Sequence, residues 1–88
     1  MDKKLQKDFE DPNLYWVTFD LGCASAVVGA GFKLLSLCKD NPRKVQFIFN
    51  RSEGLLKVVD NYWADRLIVK ARTYFDTIKM LKNRIYSE

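Results

Sequence analysis

The chain has 88 residues, of which 48% are hydrophobic, 14% aromatic and 30% charged, with a formal net charge of +4. That is the length of one domain with enough apolar content for a core, which excludes a wholly disordered chain. No apolar run reaches the roughly 20 residues of a bilayer span, and residues 1–8 lack the apolar stretch of a signal peptide, so a cytoplasmic, soluble protein with no membrane partner is expected.

Residues 1–13 are charged and poorly patterned, ending in Asp11-Pro12-Asn13, and read as a flexible arm ahead of a single domain over 14–88. Leu14 to Phe19 is dense in β-branched and aromatic residues and predicts a strand. Asp20 then stands as the N-cap of a helix over 21–30, and Gly29 and Gly31 mark its end. A second strand is predicted over 32–38, a turn over 39–44 around Pro42, and a third strand over 45–50. Alternation in the third strand puts Val45, Phe47 and Phe49 on one face and Ile48 on the other.

Ser52 is the expected cap of the next helix. Its apolar residues Leu55, Val58, Val59 and Tyr62 point in one direction, whereas Ala71, Tyr74, Phe75, Ile78, Leu81 and Ile85 centre roughly 150° away on the same wheel. One straight helix cannot aim both stripes at one core. Two helices, 52–64 and 70–86, are therefore expected, with a break at 64–70 whose Leu67-Ile68-Val69 forms a short strand or a loop. The order β-α-β-β-α-(β)-α describes an α+β domain with helices on a small, mainly antiparallel, three-stranded sheet.

The segment Leu21 to Phe32 has no charge. A surface helix normally shows water a charged face, yet here small residues, Gly22, Ser25, Ala26 and Gly29, occupy one side. Such a helix must be covered on more than one face. Close approach by a second copy, giving a homodimer, is one explanation, and cover by the 52–64 helix of the same chain is the other.

The absence of histidine removes the usual neutral-pH acid/base and the commonest metal ligand. Asp8, Glu10 and Asp11 are close in sequence, but in a segment that would preorganise them poorly. No catalytic, metal or cofactor site is expected, and the protein reads as a non-enzyme. Cys23 and Cys38 read as free thiols acting as small hydrophobes, with a bond between them or redox sensing as the alternative. The Gly29-Ala30-Gly31 run follows its helix, whereas a phosphate loop needs glycines between strand and helix, so it reads as a helix end.

Basic charge is uneven. Residues 32–51 hold five basic side chains and one acidic, and residues 70–88 hold five and two. Lys33, Lys39, Arg43, Lys44 and Arg51 around the hairpin, with Arg72, Lys79 and Lys82 on the last helix, are candidate nucleic-acid contacts. Ordinary solvated charge is the competing explanation. The strand order and Phe47/Phe49 also invite comparison with the RNA recognition motif, whose third strand presents stacking aromatics, but Gln46 replaces the favoured glycine and a full fourth strand is missing.

Four segments in order carry a family likeness: Phe19-Asp20-Leu21 through Ala24, Gly31-Phe32-Lys33-Leu34, Asn41 to Phe49, and Leu81 to Tyr86. Together they resemble a family of short uncharacterised proteins of prokaryotic and phage genomes, known only as a domain of unknown function. The resemblance implies a phage or mobile-element context and supplies no activity and no site residues. The expected function is a small non-enzymatic interaction module, self-associating through the uncharged helix; the alternative is a nucleic-acid-binding accessory protein using the basic hairpin and last helix.

Overall fold

A computed structural model of the chain describes residues 9–41 and 43–87. Its elements are β1 (Tyr15–Thr18), α1 (Leu21–Gly29), β2 (Leu34–Cys38), β3 (Gln46–Asn50), α2 (Leu55–Trp63) and α3 (Ala71–Tyr86). This is the expected α+β arrangement, with a three-stranded antiparallel sheet in the order β1-β3-β2. Residues 1–8 of the expected arm lie outside the described residues. Residues 9–13 lie against the sheet: the Asp11 carbonyl accepts from the amides of Leu14 and Tyr15, and Arg51 Nε donates to the Pro12 carbonyl at 2.8 Å.

β3 is the centre of the sheet, and its register sets the inner face. Phe49 stands opposite Trp16 and Leu34, and Phe47 opposite Thr18 and Leu37. Leu34 and Leu37 are three residues apart, so strict alternation would send them to opposite faces. A bulge between Leu34 and Ser36 absorbs the extra residue and lets both leucines pack on the core.

Local chemistry explains where each helix starts and stops. The Asp20 carboxylate accepts from the Cys23 amide at 2.7 Å, which caps α1 as expected. At the other end Gly31 takes φ 106°, its amide bonds the Val28 carbonyl, and the Phe32 amide bonds the Val27 carbonyl. That pair of bonds closes α1 in a left-handed turn that glycine enters without steric cost. The expectation for Ser52 is corrected. α2 begins three residues later, because Gly54 at φ 89° turns the chain first, and it is the Ser52 carbonyl that accepts, from the Leu55 amide.

α2 ends by the same closing geometry without a glycine. Asp65 sits at φ 60°, its amide bonds the Tyr62 carbonyl, and the Arg66 amide bonds the Asn61 carbonyl at 2.8 Å. Aspartate tolerates this region better than most side chains, at a cost of about 1 kcal/mol. The break demanded by the two apolar stripes is therefore present, and the segment through Leu67-Ile68-Val69 crosses to α3 as a loop, not a strand.

All three helices and the sheet share one core cluster, which includes Cys23, Ala24, Val27, Phe47, Phe49, Leu55, Val59 and Leu81. α1 lies against both α2 and α3, and Cys23 through Val27 are buried without interruption. The α3 stripe is narrower than predicted. Tyr74, Ile78, Leu81 and Ile85 face inward, whereas Ala71 is exposed and Phe75 is 59% exposed with Lys79 over its ring. On the opposite sheet face Ile48 is buried beside Phe9, Glu10 and Val17.

Phe47 and Phe49 are 1% and 0% exposed, so Phe→Ala at either should cost about 3–5 kcal/mol. Phe75→Ala, on the solvent side of α3, should stay within about 0.5 kcal/mol. Urea titration midpoints at unchanged slope measure both.

Candidate functional site

The small-residue face of α1 is largely filled from within the chain. The Tyr74 hydroxyl donates to the Gly22 carbonyl at 3.0 Å, and a Cβ at Gly22 would run into the Tyr62 hydroxyl. Ser25 is fully buried and donates to the Leu21 carbonyl at 2.8 Å, which satisfies its hydroxyl without a partner molecule. Ala26 is 1% exposed. Of the four positions considered for self-association, Gly29 alone opens to the surface, with nothing within 4 Å of where its Cβ would stand. Helices approach closely where side chains are this short, and here α2 and α3 make that approach.

Burial also perturbs two acids at this packing point. It pushes the Cys23 thiol up to about 11, with the Asp20 carboxylate adding to the effect. It pushes the Tyr62 phenol up to about 12, reinforced by the Tyr74 hydroxyl beside it. Both cysteines are free. Cys23 is thus a protonated, buried thiol, a poor nucleophile at neutral pH.

Beyond Gly29 the surface dips into an apolar groove of about 400 Å³. One wall is the C-terminal half of α1, from Ala26 to Ala30. The other is the crossing from Leu67 to Lys70 with the first turn of α3. Ile68 on this crossing is 94% exposed and Val69 43% exposed. Neither residue's amide or carbonyl has a backbone partner among the described residues. Composition gave no hint of this surface. Its one sequence signal is the apolar triplet Leu67-Ile68-Val69, stranded between two stripes that are out of phase.

The structure does not gather the candidate basic residues into one surface. Leu34 pairs with Phe49 and Cys38 with Gln46, so Lys33 and Arg51 lie at the opposite end of the sheet from Lys39, Arg43 and Lys44. Several are occupied. Lys39 Nζ donates to the Ser87 carbonyl at 2.7 Å and to the Arg84 and Ile85 carbonyls, closing the end of α3. Arg51 holds the Pro12 carbonyl, Lys44 lies over the Phe19 ring, and Arg72 is 4.0 Å from Asp76. Arg43 and Lys82 are exposed. Phe47 and Phe49 are buried under the helices as core residues, so they offer no stacking platform of the kind the RNA recognition motif presents. Among the described residues no group of three or more His, Cys, Asp or Glu is placed to hold a metal, and no helix is long and apolar enough to cross a membrane.

The two surface-to-core glycines of α1 should respond oppositely. Gly29→Ala should stabilise by about 0.5–1 kcal/mol through helix propensity, while Gly22→Ala should destabilise by about 1 kcal/mol by displacing Tyr62. Thermal melts of both variants decide it. Alkaline pH should also unfold the protein early. Cys23 and Tyr62 hold their protons more tightly folded than unfolded, so their contribution is intact below about pH 9 and is lost as pH rises through about 11 to 12. Denaturant midpoints across pH 8–12 should fall, and Tyr62→Phe should flatten the upper part of that fall.

No curated protein and no solved structure matches the chain. A family profile described as Domain of unknown function (DUF5659) matches residues 13–87, which covers both walls of the groove and every element of the fold. The chain belongs to that family, DUF5659.

Proposed function

We propose that this domain is a non-enzymatic interaction module whose binding surface is the groove between α1 and the crossing at residues 67–70. The observation that carries this reading is Ile68, a large aliphatic side chain left 94% exposed on a non-helical segment beside an apolar groove. Exposed apolar surface bordering a concavity is where partners dock. A cytoplasmic setting and a phage or mobile-element context belong to the same proposal; the latter is supported by the ordered sequence segments alone.

Self-association through Gly22, Ser25 and Ala26 has little left to support it, because α2 and α3 already fill that face. Nucleic-acid binding is the weaker alternative, since Lys39 and Arg51 are committed to carbonyls within the chain. A photoreactive side chain at position 68, compared with one at the exposed Lys57 on α2, tests the proposal in the native host. Discrete protein adducts from 68 and none from 57 are expected. Adducts that disappear with nuclease, or equal labelling from both positions, would overturn it.

A further inference from the structure

We infer that the outer side of α3 binds single-stranded nucleic acid, with bases against Phe75 and Tyr86 and phosphates on Arg72, Lys79 and Lys82. In chain order these residues recur at spacings of three, four, three and four. On a helix that spacing draws one row along one side, about 21 Å from end to end. α3 runs unbroken from Ala71 to Tyr86, so the row is continuous. The groove beside Ile68 does not include it. Thr73 and Tyr74, the α3 residues that line the groove, stand roughly 120–140° away around the helix. The site is therefore separate from the groove, and the committed hairpin cations take no part in it.

Every member of the row faces solvent. Arg72, Lys79 and Lys82 are exposed, Phe75 is more than half exposed and Tyr86 is 81% exposed. The stripe that α3 needs for folding lies elsewhere, at Tyr74, Ile78, Leu81 and Ile85, so the core does not account for the two rings. Asp76 is the one acid on α3, and its 4.0 Å pair with Arg72, between exposed side chains, is too weak to neutralise the row. Among the described residues no ion pair engages Lys79 or Lys82. Lys79 Nζ lies 5.4 Å from the centre of the Phe75 ring, so cation and π-face form one surface.

The interleaving of cations and rings selects the occupant. A single strand repeats one charge and one flat ring per nucleotide, and its bases stack on exposed aromatics whatever their sequence. In a duplex the bases are stacked on one another and offer no free face. An anionic bilayer would attract the cations, but a helix settles into it by burying an aliphatic face. Ile78, Leu81 and Ile85 of α3 are turned into the domain instead. An acidic protein would also meet the cations. Two lysines part Phe75 from Tyr86, however, and leave it no continuous apolar strip to pack on.

The test uses the full chain labelled with ¹⁵N and an oligothymidylate strand of about twelve nucleotides. The comparison probes are an abasic deoxyribose-phosphate strand of the same length, polyglutamate, and vesicles of phosphatidylserine and phosphatidylcholine. Oligothymidylate should shift the amides of Phe75, Lys79, Lys82 and Tyr86, leave those of Gly29 and Ile68 in place, and bind about tenfold tighter than the abasic strand or polyglutamate. The slope of log affinity against log salt should be about −2, from three phosphates neutralised. Phe75→Leu/Tyr86→Leu should remove the advantage over the abasic strand and keep the slope, whereas Lys79→Glu/Lys82→Glu should abolish binding of either strand. Thermal melts near that of the unaltered chain would show both variants folded. Equal binding of oligothymidylate and the abasic strand or polyglutamate, tighter binding of the vesicles, shifts confined to the hairpin or the groove, or no shift up to millimolar strand would each overturn the inference. None of these outcomes bears on the protein adducts expected from position 68, so the two readings fail separately.

Discussion

Five consecutive residues of α1, Cys23 to Val27, are buried, and a helix can occupy such a position only if something covers every face. The sheet covers one side through Phe47 and Phe49, while α2 and α3 cover the others. This constraint fixes the side chains that α1 can carry. A charged residue would be buried without a partner, and a long one would hold the flanking helices away. Ser25 is tolerated because it bonds back to Leu21, and Gly22 because its bare Cα leaves room for two tyrosines. The tyrosines in turn bring α2 and α3 to the first turn of α1, so one small residue determines how both helices sit.

Charge in this protein serves structure more than its quantity suggests. Lys39 reaches the final carbonyls of α3, groups that have no partner within the helix and sit at the negative end of its dipole. Arg51 ties the end of β3 to residue 12. Each cation substitutes for a contact that a larger core would make, which suits a domain with little interior. The basic residues therefore look clustered along the chain but are dispersed in space. What remains exposed is scattered over both ends of the sheet and the outer side of α3, with a weak, solvent-screened pair at Arg72 and Asp76.

Much of the fold was legible because its signals are local. Asp20 before an uncharged helix, the alternation of Phe47 and Phe49, and the phase conflict between Leu55–Tyr62 and Tyr74–Ile85 each require only neighbouring residues to interpret. The errors came where tertiary geometry chose among local options. Ser52 is as good a cap as Asp20, but Gly54 in a left-handed turn displaced the start of α2. Asp65 closes α2 where glycine is the usual signal, so the stop had to be inferred from phase. The candidate site was harder still. Whether the small face of α1 meets another chain or its own helices depends on how long side chains at positions 62 and 74 fold back, and no sequence spacing records that. The groove beside Ile68 exists only because the crossing runs along α1 instead of joining the sheet.

The bulge in β2 has a consequence beyond packing. With β3 in the middle, β1 and β2 are both edge strands, and edges with regular ladders invite pairing with other chains. By inserting Leu35 between Leu34 and Ser36, β2 brings two leucines to the core and at the same stroke spoils the even spacing of amides and carbonyls along its outer rim. An incoming strand would find its register broken midway. A five-residue strand thus fills the interior and blunts its own edge of the sheet against pairing with other chains, a protection that deleting one residue at position 35 would remove.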